Sequence, residues 1–175
     1  MAGRFGLPYY DNNLLQHIAM EKDFAHDMLM KYDEKPKSRL FSRTIGEHSS
    51  SPEENVALLQ FEYITQMAKE GKSFVIVGRC SETILKDFPG LISIFILGDF
   101  ETKLQRIKEK HNVSTEEAKQ LMKRGDWKRK AYHNYYCKGK WGDSRNYDIS
   151  VNSSKLGIEG TTDMLGNYIR ERMKA

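Results

Sequence analysis

Three short apolar runs stand out along a chain that is otherwise polar. They cover residues 73–77, 91–97 and 147–151 and contain mostly Val, Ile, Phe and Leu among their apolar residues. Strands that are covered on both faces of a parallel sheet have this composition. The pattern therefore predicts three buried β-strands.

Helical signals flank and separate these runs. Residues 51–54 read Ser-Pro-Glu-Glu, which supplies an N-cap, a proline at the first helical position and a capping-box glutamate. The capping-box signature recurs at residues 114–117. Further helices are predicted from residue 11 to about 32 and from about 157 to 172. Because helices that alternate with apolar strands favour β-α-β units, we expect an α/β fold with a three-layer parallel sheet flanked by helices.

The length of the chain fits one domain, so we predict a single domain over residues 1–175. Residues 33–50 are polar and show no periodicity, which predicts a mobile loop. No apolar run approaches the roughly 20 residues that span a bilayer. The N-terminus also lacks the apolar core of a signal peptide. We therefore predict a cytoplasmic protein with no membrane partner.

The metal-binding residue types show no recognisable pattern. The two cysteines, Cys80 and Cys137, lack C-x-x-C spacing, and the five histidines are scattered. The sequence therefore predicts neither a disulfide framework nor a metal site. A nucleophilic role for Cys80 is disfavoured because no histidine lies near it in sequence.

One segment of the chain carries a marked excess of positive charge. Seven of them lie in residues 123–140 against one acid, Asp126, which gives this segment a charge of +6 within a chain of net charge +4. A basic segment on an otherwise near-neutral body indicates a local anion site. Asp126 and Arg129 are three residues apart, so a helix places them side by side, where the acid can hold the guanidinium in position for phosphate. The alternative is a solvated, charged helix face.

Ligands of parallel sheets bind beyond the carboxyl ends of the strands, and three further features fall near such places. Arg79 follows a predicted strand and Gly78, so its guanidinium can bind phosphate oxygens; the alternative is a surface arginine in an ordinary turn. Asp11 can contact a nucleotide, or it can simply cap the next helix. The polar residues at 152–154 can hydrogen-bond a purine ring, or they can form a polar turn.

Aromatic residues interrupt the basic segment. They are Trp127, Tyr132, Tyr135, Tyr136 and Trp141. Aromatic rings between cations also suit stacking on single-stranded nucleic acid, so a non-catalytic module that binds RNA or nucleotides through residues 123–141 stays open as an alternative. RNA is the weaker of these two partner hypotheses.

Short motifs in a fixed order cover nearly the whole chain. They are Phe-Gly-Leu-Pro-Tyr-Tyr-Asp at 5–11, Val-Ile-Val-Gly-Arg at 75–79, Ile-Leu at 84–85, Asp126-x-x-Arg129-x-x-Tyr132, Trp-Gly-Asp at 141–143, Tyr-Asp at 147–148, Val-Asn-Ser-Ser at 151–154 and Leu-Gly-Ile-Glu at 156–159. In this order the motifs resemble the cytidylate-kinase-like family of P-loop kinases.

The resemblance implies a nucleoside monophosphate kinase with a parallel sheet, an acceptor-nucleotide region and an arginine-bearing lid at about residues 123–140. The implied reaction transfers the γ-phosphoryl group of ATP, with Mg²⁺, to CMP or a related monophosphate. The implied site residues are Asp11 and Arg79 on the substrate-binding side, Arg124, Asp126 and Arg129 as catalytic lid residues, and Asn152, Ser153 and Ser154 near the adenine of the donor.

The chain departs from the family pattern at the donor site. It contains no G-x-x-x-x-G-K-[ST] motif, and residues 2–6 look like the end of the helix that should follow that loop. The missing strand would lie centrally, between the strands predicted at 73–77 and 91–97. Cys80 also stands where cytidylate kinases carry an aspartate, and His17 where they carry an arginine.

Three hypotheses follow from these patterns. In the first, the chain is a nucleotide kinase that lacks its N-terminal strand, loop and helix, and as written it is not expected to transfer phosphate at a useful rate. In the second, it is the non-catalytic nucleotide- or RNA-binding module. In the third, it is a scaffold that associates with another chain, or with itself, through exposed strand edges.

Overall fold

The computed structural model describes residues 1–22, 44–45, 48–49 and 52–174. Numbered within these residues, the helices are α1 (Ala2–Phe5), α2 (Leu14–Lys22), α3 (Pro52–Lys69), α4 (Ser81–Ile84), α5 (Phe100–His111), α6 (Thr115–Tyr136) and α7 (Ser153–Arg172), with a 3₁₀ turn at Ser144–Asn146. The strands are β1 (Tyr9–Tyr10), β2 (Thr44–Ile45), β3 (His48–Ser49), β4 (Val75–Ile76), β5 (Ile94–Leu97) and β6 (Ile149–Asn152).

The parallel strands form two separate pairs. β1 pairs with β4, with Tyr10 opposite Ile76, and β5 pairs with β6, with Leu97 opposite Asn152. β2 and β3 form a short antiparallel pair. Within the described ranges no ladder of hydrogen bonds joins one pair to another. The α/β class with parallel strands is therefore confirmed, whereas a continuous three-layer sheet stays a prediction.

The prediction that the strands are covered on both faces is wrong for part of β5. Ile96 and Leu97 are 58% and 46% exposed, and Val77 directly after β4 is 55% exposed. A sheet of two short strands offers too narrow a surface for helices to cover both sides. These apolar side chains therefore remain in contact with solvent.

Local sequence signals place several helix ends. The hydroxyl of Ser114 accepts from the Glu117 N–H at 3.3 Å, and the Glu117 carboxylate accepts from the Ser114 N–H at 2.9 Å. This reciprocal capping box confirms the predicted start of α6. The last helix begins at Ser153, four residues before the predicted start, and Gly157 interrupts it with a φ of 67°.

Two predicted segments fall largely outside the described residues. They are the part of the helix predicted beyond residue 22 and most of the loop predicted at 33–50, in which only β2 and β3 are described. Mobility of that loop and the single-domain organisation stay predictions.

The largest buried cluster lies beneath β1 and β4. It contains Leu14, Leu15, Ile18, Val56, Tyr63, Ile64, Met67 and Leu85. Each fully buried leucine or isoleucine contributes about 1.5–3 kcal/mol through removal of apolar surface from water, and this contribution fixes α2 and α3 against the β1–β4 pair.

A smaller cluster of Leu104, Ala118 and Met122 joins α5 to the first half of α6. This contact sets the direction in which the basic second half of α6 projects. In the part of the chain that the structure describes, no helix combines the length and apolar character needed to cross a bilayer.

Candidate functional site

The carboxyl ends of β5 and β6 carry a group of mutually hydrogen-bonded polar residues. The Asn152 amide donates to the Asp99 carboxylate at 2.7 Å, and the Asp99 N–H donates to the Ser154 hydroxyl at 2.8 Å. The Ser153 hydroxyl donates to the Leu97 carbonyl at 2.8 Å. The structure therefore gathers the three residues predicted near the donor base, Asn152 to Ser154, at one end of the β5–β6 pair.

Asp99 at the start of α5 is held in its charged form. Hydrogen bonds from Lys155, at 2.7 Å, and from Asn152 hold the pKa of Asp99 below its usual range. The side chains that end β5 and β6 thus fix one another before any ligand binds.

Helix α6, which contains the predicted lid segment, carries an acid between two cations. The Asp126 carboxylate accepts from Arg129 on the next turn at 2.7 Å and from Lys103 on α5 at 3.1 Å. Partial burial acts to raise the pKa of Asp126, but the hydrogen bonds from Arg129 and Lys103 outweigh it and lower that pKa. The predicted contact between Asp126 and Arg129 is confirmed.

Lys103 is a residue that sequence reasoning missed. Its contact with Asp126 bridges 23 positions in the chain and depends on how α5 packs against α6. Lys103 lies one turn after Asp99, so it joins the polar group at the end of β5 to α6.

Arg124 lies in a different environment from Asp126 and Arg129. It lines a groove of about 690 Å³ along α6, together with Val113, Glu117, Gln120, Leu121, Lys123 and Trp127. Glu117, Gln120, Arg124 and Trp127 recur at helical spacing and share one face of α6. The three predicted catalytic residues are thus divided between two faces of α6.

The turn after β4 has an unusual backbone. Gly78, Arg79 and Cys80 have φ values of 76°, 59° and 55°, so three consecutive residues are left-handed. A non-glycine residue in this region costs about 1–2 kcal/mol, and such strain clusters at functional sites. Arg79 is only 4% exposed, whereas the side chain of Arg129 is 58% exposed. The predicted contact of Arg79 with phosphate stays a prediction.

Asp11 lies in the turn between β1 and α2. Its carboxylate accepts from the Tyr9 hydroxyl at 3.0 Å and from the Asn13 N–H at 3.2 Å, while the Asp11 N–H donates to the Asn13 side chain at 2.9 Å. These bonds hold the turn that precedes Leu14, the first residue of α2. Asp11 therefore helps to form this turn, whereas its contact with a nucleotide stays a prediction.

Most of the aromatic residues of the basic segment pack within the protein. Tyr132 and Tyr136 contact each other, with ring centroids 4.8 Å apart, and Trp141 packs edge-on against Phe95 at 5.5 Å. Trp127 is the exposed ring, at 61%. Four of the five rings are therefore buried or half-buried, which leaves little surface for stacking on bases.

Sequence analysis also missed a cluster of three side chains of metal-binding types. Glu82 on α4 and His133 and Cys137 at the end of α6 bring a carboxylate oxygen, an imidazole nitrogen and a thiol sulfur within 4.8 Å of one another. The spacing of His133 and Cys137, four residues apart, is a signal for neighbours on one helix face. Glu82 lies 51 residues before His133, so no local pattern reveals its position.

Most of the chain matches the sequence model of a known protein family. The sequence model of the cytidylate kinase-like family matches residues 1–155, which makes the chain a nucleotide kinase-like protein. The protein belongs to the cytidylate kinase-like family. No curated protein matches the chain.

A solved structure is similar over nearly the whole chain. It is the crystal structure of an uncharacterized protein from Eubacterium ventriosum ATCC 27560, with 38% sequence identity and a TM-score of 0.74. The match covers 97% of this chain and 86% of that chain.

Proposed function

We propose that this chain is the acceptor-binding and lid portion of a nucleoside monophosphate kinase that acts on cytidylate or a related nucleotide. The observation that carries the proposal is that Asp126 of the proposed lid helix binds both Arg129 of the same helix and Lys103 of α5, in a protein of the cytidylate kinase-like family. The proposed reaction transfers the γ-phosphoryl group of ATP to the phosphate of the acceptor nucleotide.

The lid arrangement suits the charge that develops during phosphoryl transfer. Positive groups around the equatorial oxygens of the moving phosphoryl group stabilise the transition state. Asp126 fixes the guanidinium of Arg129 before a substrate arrives, so the Arg129 side chain loses less conformational entropy when the substrate binds. Lys103 supplies a second cation on the same carboxylate. We assign these charges to the lid of the kinase site, with Arg124 as a further lid cation.

On the acceptor side we propose Arg79 and Asp11 as the nucleotide-binding residues. The strained turn at residues 78–80 follows a parallel strand, where ligands of such sheets bind. On the donor side we propose that residues 152–154 approach the adenine of ATP. The bonds around Asp99 support this role because they fix polar groups at the ends of β5 and β6.

The donor phosphates need a cradle that these 175 residues do not contain, since no glycine-rich phosphate loop occurs in the sequence. Two separate parallel pairs support the proposal that a strand and loop belong between β4 and β5. We therefore expect the chain as written to bind nucleotide without transferring phosphate at a useful rate.

The acids on the proposed lid and at the proposed donor side do not fit a resident Mg²⁺ ion. Mg²⁺ prefers oxygen ligands. Asp126 is engaged by Lys103 and Arg129, and Asp99 by Lys155 and Asn152. In the proposed reaction Mg²⁺ would therefore arrive with the phosphates of ATP, and no protein ligand is assigned to it.

Binding of the acceptor is the direct test. CMP at ten times its Kd should stabilise the folded chain by about 1.4 kcal/mol, which corresponds to a rise in Tm of about 3–6 °C for a protein of this size. Arg79→Lys keeps the charge but loses the bidentate fork, so it should weaken CMP binding about tenfold. Arg145→Lys is the matched control, because Arg145 is 86% exposed and pairs with Asp143.

Two results would count against the proposal. One is the absence of any change in Tm with CMP, UMP or AMP at millimolar concentration. The other is equal loss of CMP binding in Arg79→Lys and Arg145→Lys. If Arg79→Lys does not fold, Asp11→Asn provides a second test on a residue that lies nearer the surface.

The alternative function is a module that binds single-stranded RNA through residues 123–141. The charge of the segment and the exposed Trp127 favour it. Retention on single-stranded RNA that weakens steeply with salt, without stabilisation by CMP, would select this alternative. Reading the DNA upstream of Met1 in frame would separately test whether a strand and a glycine-rich loop precede the chain.

A further inference from the structure

A buried cluster of ionisable side chains lies where the last turn of α6 packs against α4. Its members are Cys80, Glu82, His133 and Cys137, and their exposed fractions are 4% and 7% for the two cysteines and 11% and 7% for the Glu82 and His133 side chains. Ala57 and Tyr132 pack around the two cysteines. The proposed kinase reaction uses none of these four residues.

The contact between Glu82 and His133 places an imidazole nitrogen against a carboxylate oxygen. Nε2 of His133 lies 2.8 Å from Oε1 of Glu82. Nδ1 of His133 faces Oδ1 of Asn134 at 3.4 Å, and that oxygen is fixed as an acceptor by the Trp141 N–H at 2.8 Å. With Nδ1 facing Asn134, Nε2 is the ring nitrogen that faces the Glu82 carboxylate, and it is placed to share a proton or a metal ion with it.

The two cysteine sulfur atoms belong to the same buried cluster. The sulfur of Cys137 is hydrogen-bonded to Cys80 and to His133, so the two thiol groups and the imidazole are in direct contact. Arg79 is the cation that faces Cys80.

We propose that Glu82, His133 and Cys137 form a zinc-binding site, with Cys80 as the fourth ligand. The three donor atoms already lie within 4.8 Å of one another. Zinc–ligand bonds of about 2.0–2.3 Å place neighbouring ligand atoms within roughly 4 Å, so small side-chain adjustments bring these three atoms to coordination distance. Cys80 lies outside this group of three and is hydrogen-bonded to Cys137, so its side chain must rotate further to become the fourth ligand. Thiolate and imidazole ligands select Zn²⁺ over Mg²⁺ or Ca²⁺.

The charges balance when zinc is bound. Zinc displaces the protons that His133 and the two cysteines hold at the ligand atoms, because it binds thiolate sulfur and neutral imidazole. Two thiolates and one carboxylate then offset Zn²⁺ and the nearby Arg79 guanidinium. Four protein ligands with almost no exposed surface are characteristic of a structural site rather than a catalytic one.

The location of the site gives it a structural consequence. Cys80 and Glu82 belong to the turn and short helix that follow β4, whereas His133 and Cys137 belong to the end of the lid helix. Zinc would therefore tie the base of α6 to the turn that carries Arg79. This role is independent of whether the chain binds a nucleotide.

The test uses the full chain, freed of metal with chelator in the presence of reductant. Co²⁺ added at one equivalent should produce the intense visible bands of a tetrahedral site and a thiolate-to-cobalt absorption in the near ultraviolet. Zn²⁺ should abolish both, add the mass of one zinc per chain in native mass spectrometry, and raise Tm by about 5 °C or more.

Variants assign the ligands. Cys137→Ser and His133→Asn should each weaken zinc binding by more than about 100-fold. Cys80→Ser should reduce the thiolate-to-cobalt absorption about twofold, because one of two sulfur ligands is removed. His111→Asn, which alters an exposed histidine at the end of α5, is the matched control and should bind zinc like the wild type.

Absence of the cobalt spectrum and of the zinc adduct from the wild type would overturn the proposal, as would unchanged zinc affinity in both Cys137→Ser and His133→Asn. Because the cobalt spectrum and the adduct mass are measured on the wild type, the test remains decisive if a variant does not fold. Rapid formation of a disulfide between Cys80 and Cys137 that one equivalent of zinc does not slow would also contradict it.

Discussion

Nζ of Lys103 on α5 lies 3.1 Å from the Asp126 carboxylate on α6, and this contact ties the residues that follow β5 to the basic helix α6. The two side chains are 41% and 39% exposed, so water and salt screen their attraction. We expect a double-mutant cycle with Lys103→Met and Asp126→Asn to give a coupling free energy of about 0.2–1 kcal/mol in urea unfolding.

This coupling should fall toward zero in 1 M NaCl. Lys103→Met combined with Glu171→Ala, a pair without a shared contact, should be additive within about 0.5 kcal/mol. A coupling above about 2 kcal/mol that salt does not reduce would contradict a screened surface pair.

Asp148 fixes the start of β5 against β6. Its carboxylate accepts from the Ser93 N–H at 2.7 Å and the Ser93 hydroxyl at 3.0 Å, and Ser93 is only 9% exposed. Asp148→Ala should lower the free energy of unfolding by about 1–3 kcal/mol at pH 7, because it leaves buried donors without this acceptor. Glu171→Ala, an exposed control, should change it by less than about 0.5 kcal/mol.

The effect of Asp148→Ala should depend on pH. Burial acts to raise the pKa of Asp148, but hydrogen bonds from Ser93 and Arg172 outweigh it and lower that pKa. A depressed carboxyl pKa contributes stability that is present above the pKa of the unfolded chain, about 3.9, and is lost as pH falls through the folded value. The difference between wild type and variant should therefore shrink below about pH 4 in urea unfolding; a constant difference down to pH 2 would argue against this role.

Gly142 and Gly78 allow backbone strain to be separated from steric clash. Both have positive φ values, 78° and 76°, but a Cβ at Gly142 would meet Cζ of Phe95 at 3.0 Å, whereas nothing lies within 4 Å of one at Gly78. Gly78→Ala should cost about 1–2 kcal/mol from the backbone alone. Gly142→Ala should cost a further 1–3 kcal/mol or so, because the ring must move. If urea unfolding shows that Gly78→Ala and Gly142→Ala lower the free energy of unfolding equally, the ring of Phe95 moves aside without a measurable cost.

The capping box of α6 should make a measurable contribution to stability. Ser114→Ala removes the acceptor for the Glu117 N–H and should lower the free energy of unfolding by about 1 kcal/mol. Ser114→Asp restores a capping oxygen and should recover most of that loss. Equal unfolding midpoints for Ser114→Ala and Ser114→Asp would show that the cap is unimportant.

Local chemistry explains which features could be predicted from the sequence. The start of α6 follows from Ser114 and Glu117, and the contact between Asp126 and Arg129 follows from helical spacing, because each depends on residues three positions apart. The parallel α/β class follows from the order of apolar runs and helical signals. These features need no knowledge of distant contacts.

Features that depend on packing escaped sequence analysis. Lys103 reaches Asp126 only because Leu104 and Met122 bring α5 and α6 together. Glu82 and His133 are 51 residues apart, so their proximity appears only in the folded chain. The exposure of Ile96 depends on the number of strands in the sheet, which a single apolar run does not reveal.

The separation of the parallel strands into two pairs bears on the cooperativity of unfolding. Within the described residues, no ladder of backbone hydrogen bonds connects the β1–β4 half to the β5–β6 half. Side-chain contacts, such as those among Ala57, Cys80 and Cys137, connect the two halves instead. Binding of zinc by the sulfur atoms of Cys80 and Cys137 would decide whether the two halves unfold together in one transition or separately in two.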